Sequence, residues 1–168
     1  HIDDLIKNND DLIVTSGGLD SLFFKLIKKN NPKQVDLLAS KIKSIFGNRF
    51  YLEIQRHNDN DQKSIENNLL DLSKTKKIPI IASQEVFYIE QDMFEAHDAL
   101  LCIGQKTYVN DEKRKKYSDQ HYIKSTDEIN KIYQDIPEAL DNNYNFPLRF
   151  SYKLEKSAPN LPSIQISS

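Results

Sequence analysis

A short apolar run, Ile78, Ile80, Ile81 and Ala82, set behind the paired lysines Lys76 and Lys77, limits the architecture more than any other stretch of the chain. A strand with apolar side chains on both faces must be covered on both sides, as strands are inside a parallel α/β sheet. The polar residues Ser83, Gln84 and Glu85 follow at the carboxyl end of this strand. Parallel sheets and barrels gather their loops on that rim, so Glu85 is the first residue to consider for chemistry. Beyond it, Asp92 reads as an N-cap with Glu95 at the N3 position. Met93, Ala96, Leu100 and Ile103 then recur at helical spacing until Gly104.

The rest of the chain repeats the strand and helix alternation. Asp11 to Thr15 form a first strand-like run that ends in Ser16, Gly17 and Gly18, and an apolar helix with Leu19, Leu22, Phe23, Leu26 and Ile27 follows. Paired glycines before a helix can aim amides at an anion, but the spacing matches neither the dinucleotide fingerprint nor the Walker lysine, and a tight turn is the simpler reading. Pro32 and Gly47 bracket a second helix, with Val35, Leu38, Ala39, Ile42, Ile45 and Phe46 on one face. Arg49 to Gln55 read as a strand, Arg56 to Asp61 as a polar loop, and Gln62 to Lys76 as a third helix. Such alternation is the rhythm of a parallel α/β fold. Later, Tyr122 and Ile123 form a short extended piece, and Ser125 with Glu128 signals a capped helix. Pro137 opens another helix, Leu148 to Leu154 alternate as a strand would, and a Pro- and Ser-rich tail follows.

Charge and cysteine usage narrow the function classes. The 168 residues suit one domain, and 23 basic against 25 acidic residues give a net charge of −2. No global positive field for nucleic acid results, and any DNA contact has to be local. The one local cluster, Lys113 to Lys116 with Tyr108 and Tyr117 beside it, reads first as a solvated loop face. No run is long and apolar enough for a membrane span, and the start is not a signal peptide, so a soluble cytoplasmic protein is expected. Cys102 is the only cysteine and sits in an apolar run, where a buried inert thiol is expected.

The residues that can form a rim site are His57, Glu85 and His97, with Glu53 and Asp92 as outer candidates. A hydrolytic metal centre needs several ligands closing around one ion, and here the histidines are scattered. His97 lies between Phe94 and Leu101 at helical spacing, which favours a half-buried structural histidine. No elbow motif of the serine-hydrolase kind is present. Taken alone, these residues define a soluble α/β domain and assign no enzymatic activity.

The segments DLIVTSGGLDSL, RFYLEIQRHN, IPIIASQEVFYIEQDMFEAHDALLCIGQKT, YIKSTDEI and DIPEAL occur in this order. Together they resemble the later part of the PHP (polymerase and histidinol phosphatase) domain of bacterial replicative DNA polymerase III alpha subunits, from about residue 10 to about residue 163. The resemblance implies a distorted β/α barrel of which only the carboxyl-terminal portion is present. Residues 1–154 would be a partial PHP domain and residues 155–168 a linker toward the polymerase domains. Metal-competent members carry a Cys after Ser-Gly and an Asp-x-His pair after the organising strand. This chain has Gly18 at the first place and Glu85 and Phe87 at the others. His57 and His97 match motif positions but are not counted as ligands.

The resemblance thus implies a degenerate metal site, no catalytic or cofactor-binding residues, no cofactor, and a scaffold role in DNA replication. The parent would be a DNA-directed DNA polymerase, a nucleotidyltransferase, while the fragment alone is expected to be inactive. Expected partners are a proofreading exonuclease subunit and the rest of the holoenzyme, with weak or absent DNA contact. Self-association through exposed sheet edges or apolar surface is also expected. The alternative is a metal-dependent phosphoesterase or 3′-5′ exonuclease that needs the missing amino-terminal PHP segment.

Overall fold

The computed structural model describes residues 2–58 and 62–159. Three parallel strands, β1 (Val14–Thr15), β2 (Phe50–Gln55) and β3 (Ile80–Ser83), lie side by side in the order of the chain. Val14 pairs with Phe50, and Leu52 to Gln55 pair with Ile80 to Ser83. The sheet is open. Its helices are α1 (Ile2–Lys7), α2 (Leu22–Lys28), α3 (Pro32–Phe46), α4 (Gln62–Lys76), α5 (Phe94–Gln105), α6 (Thr126–Ile132) and α7 (Pro137–Asn145).

Local chemistry accounts for most of these boundaries. Asn31 caps α3 by accepting from the Gln34 amide, Pro32 supplies a preset φ in its first turn, and Gly47 ends it at φ +56°. Ser125 and Glu128 form a reciprocal capping box at the start of α6. Helix α4 turns Ile65, Leu69 and Leu72 inward. These join Phe23, Val35, Ala39, Phe46, Leu52, Ile54, Ile78, Ile80 and Tyr133 in one continuous core.

The outer edge of β3 is closed by side chains. Asn142 donates to the Ile80 carbonyl at 2.7 Å, and Asn143 both donates to the Ala82 carbonyl at 2.6 Å and accepts from its amide at 3.0 Å. Two asparagines of α7 thus imitate the backbone of a fourth strand. Arg56, at the end of β2, forms ion pairs with Glu66 of α4 and with Asp135 between α6 and α7, and lies over the Tyr133 ring.

Several expectations need correction. The first strand is two residues long, because Asp11 takes φ +60° and turns the chain before Val14. The polar start of the chain forms α1. Asp92 does not cap α5: residues Gln91–Met93 make a 3₁₀ turn, no side chain caps the helix, and its end comes at Lys106 in the left-handed conformation rather than at Gly104. Leu148 to Leu154 form no strand. A 3₁₀ turn over Phe146–Arg149 is followed by exposed chain without regular structure. The tail from 160 to 168 and loop residues 59–61 lie outside the described residues.

Candidate functional site

At the carboxyl ends of the strands, one carboxylate ties all three together. Glu53 accepts from Thr15 at 2.7 Å, from Ser83 at 2.5 Å and from the Gln55 amide nitrogen at 2.9 Å. Gln55 also donates to the Ser83 hydroxyl at 3.1 Å. Its amide is therefore held flat across the rim, with Oε1 turned toward Gly18. A Cβ at position 18 would stand 2.3 Å from that oxygen. Any larger residue there requires Gln55 to swing away and release both Glu53 and Ser83. The paired glycines form a tight turn, Gly17 at φ +76°, and Ser21 caps α2 through the Phe24 amide. A cavity of about 30 Å³ beside them, lined by Gly17, Gly18, Glu53, Gln55 and Gln62, has room for one water.

A second cluster sits beside the loop that leaves β3. His57 and His121 are both fully buried and stack at 4.1 Å between ring centroids, 11° from parallel. They grip a single residue. The Glu85 amide donates to Nε2 of His57 at 3.1 Å, and Nδ1 of His121 lies 3.0 Å from the Glu85 carbonyl oxygen. An amide can only donate and a carbonyl can only accept, so His57 is neutral with its proton on Nδ1, and Nδ1 of His121 carries a hydrogen. Nδ1 of His57 is itself buried without a hydrogen-bond partner. Burial, with His121 and Lys124 nearby, lowers the His57 pKa to about 4.

Phe87 is the hub of the aromatic packing. Its ring lies 5.3 Å from His97 at 14°, 4.4 Å from Tyr117 and 5.2 Å from His121. Tyr88 adds a contact to His97 at 5.5 Å. The cluster is fastened underneath by Ser118, whose hydroxyl donates to the His57 carbonyl, and by the Tyr88 hydroxyl, which donates to the Ser118 carbonyl at 2.7 Å.

Of the residues singled out in the sequence, His57 and Glu85 do come together, with Glu85 entering through its peptide group rather than its carboxylate, while His97 packs on the far side of Phe87. Glu53 belongs to the separate network on the rim, and Asp92 is exposed in the turn before α5. His121 was not foreseen, and Tyr117 was noted only beside the basic cluster. Both lie in a segment without helical or strand periodicity, and only the fold brings them to Phe87. Among the described residues, no three His, Cys, Asp or Glu side chains are placed to hold a metal ion. The basic cluster is also reshaped. Arg114 turns inward and binds Asp98 through two contacts of 2.5 and 2.6 Å, which holds the Asp98 carboxyl below its usual range. Lys113, Lys115 and Lys116 remain exposed.

No family model matches the chain. Individual relatives do. It is 31% identical over 157 residues to the DNA polymerase III subunit alpha of Caulobacter vibrioides, covering 94% of this chain. It is 34% identical over 168 residues to that of Rickettsia conorii, covering 97%, and 34% identical over 166 residues to that of Borreliella burgdorferi, covering 98%. In each case the alignment takes in 14% of the relative. Along almost its whole length, and matching a single stretch of its much longer relatives, the chain belongs to the DNA polymerase III alpha subunit family.

Proposed function

We propose that this chain is a non-catalytic scaffold segment of a replicative polymerase alpha subunit, a partial PHP-type barrel over residues 1–154 with a linker after it. Consecutive parallel strands in chain order are what a slice of a β/α barrel would contain, and the helices between them supply the crossovers. One observation carries the scaffold reading: Phe87, at the place where the resemblance puts a metal-binding imidazole, is a partly exposed phenyl ring that lies against His97, Tyr117 and His121 and offers no ligand atom. Gly18 supports it, because Gln55 occupies the space into which a ligand at that position would extend. The donor set therefore does not suit the family's ion.

Its partners would be a proofreading exonuclease subunit and the remaining holoenzyme, in the cytoplasm, with little direct DNA contact. No helix among the described residues is long and apolar enough to cross a membrane. Self-association would proceed through apolar surface rather than through the β3 edge, which α7 already fills.

The competing reading, a metal-dependent phosphoesterase or 3′-5′ exonuclease, draws on the stacked pair His57 and His121, with His97 on the other side of Phe87. It requires ligands from a preceding segment. Metal analysis together with a nuclease assay separates the two. The purified chain is expected to retain no stoichiometric zinc or manganese after dialysis and to leave single-stranded DNA uncut, alone and when joined to the preceding part of the domain. Tightly held metal with metal-dependent cleavage in either form would overturn the scaffold reading. Phe87→His is the control: it places an imidazole between His97 and His121 and is expected to gain zinc or cobalt binding.

A further inference from the structure

The helix α5 is turned inside out relative to its sequence pattern. Its inner side carries His97, Asp98 and Cys102, whereas Ala96, Ala99, Leu100 and Ile103 face outward. Leu100 is 64% and Ile103 75% exposed. From Ala96 to Gln105 the outer face has no charged residue. A solvent-facing helix normally carries charge on that side, so this face is built to be covered.

Its layout specifies the cover. Small residues, Ala96 and Ala99, occupy the first half and large ones, Leu100 and Ile103, the second. Exposed acids, Glu90, Asp92 and Glu95, stand at the amino end, and Lys106 closes the carboxyl end, before a loop in which Lys113 is offset by Asp111 and Glu112. Glu95 and Lys106 are about 16 Å apart along the axis. Beside the carboxyl end is a shallow depression of about 520 Å³, lined by Ala99, Cys102, Ile103, Lys106, Tyr108 and Val109. The acid-first, base-last order also suits the helix dipole, but the bare outer face and the small-to-large gradient do not follow from that.

We infer that the outer face of α5 is a self-complementary interface for a second copy of this chain, packed antiparallel about a two-fold axis between Ala99 and Leu100. That operator sets Leu100 against Ala99 and Ile103 against Ala96 of the other copy. It drops Met93 toward the depression and faces Glu95 and Asp92 toward Lys106. The patch meets itself, as a two-fold interface must. This inference locates the self-association proposed above and rests on it.

Sedimentation velocity on the 168-residue chain over a range of concentrations tests it. The expected result is a monomer–dimer equilibrium that Ile103→Glu shifts to monomer by at least about 100-fold in Kd. Glu95→Lys and Lys106→Glu are each expected to weaken the dimer about three- to tenfold, and their combination to restore it. Circular dichroism confirms folding, and the surface charge reversals serve should Ile103→Glu unfold the chain. A dimer indifferent to all of these variants overturns the α5 site while leaving self-association standing. A chain that stays monomeric, its α5 face protected only inside a longer polypeptide of the family, overturns both.

Discussion

The proton on His57 has nowhere better to be than Nδ1, because Nε2 is occupied by the Glu85 amide. Protonating Nε2 would break that bond and place a cation against His121 in a dry cluster, which is why its pKa falls to about 4. The unfolded chain, with an ordinary histidine pKa of about 6.5, takes up a proton first as the pH drops. Stability should therefore be full above about pH 7 and decline as the pH falls from there toward 4. The expected loss is about 1–2 kcal/mol between neutral pH and pH 5, before most carboxylates titrate. Urea unfolding at these two pH values measures it, and His57→Gln should flatten the difference. A wild-type midpoint that rises on acidification contradicts the clamp. The histidine at 57 was visible in the sequence as a polar loop residue at a strand end, but its burial was not. Burial depends on His121, 64 positions later in a stretch without periodicity, and no local pattern encodes that meeting.

Elements whose ends carry their own stop signals were legible. The helix between Pro32 and Gly47 and the capping box of α6 both follow from residues next to the boundary. Elements defined by what lies across from them were not. The Leu148 to Leu154 segment alternates as a strand should, yet Leu148, Phe150, Tyr152 and Leu154 are 77, 55, 85 and 87% exposed, since no described strand is there to pair with it. Helix α5 was recognised by period, but period cannot say which face points inward when the core offers histidine, aspartate and arginine partners. The role of α7 was equally hidden, because asparagines usually signal surface. Asn143→Ala removes one donor and one acceptor from the Ala82 peptide and is expected to cost about 1–2 kcal/mol. The urea midpoint should fall, and hydrogen exchange at the Ala82 amide should quicken more than at Ile54. Unchanged exchange at Ala82 would show that α7 merely lies beside the sheet.

At the scale of the molecule, the parallel α/β class was readable from alternation alone, whereas the order of the strands and the extent of the sheet were not. Arg56 joins β2, α4 and the α6 to α7 junction, so regions up to 79 residues apart share one ion-pair cluster. Charge at this scale also bears on DNA. With a net charge of −2 and Arg114 committed to Asp98, three exposed lysines are left in the basic loop. Fluorescence anisotropy with labelled oligonucleotides should show negligible binding at physiological salt. Any residual binding should have a log–log salt slope no steeper than about three, one per neutralised phosphate. A steeper slope, abolished by Lys113→Glu with Lys116→Glu, would restore the loop as a nucleic-acid contact. The asparagine plug on β3 makes the sheet one-sided. Among the described residues the sheet's other flank, along Val14 and Thr15, carries no strand, so a further strand of the same polypeptide would extend the sheet on that side alone.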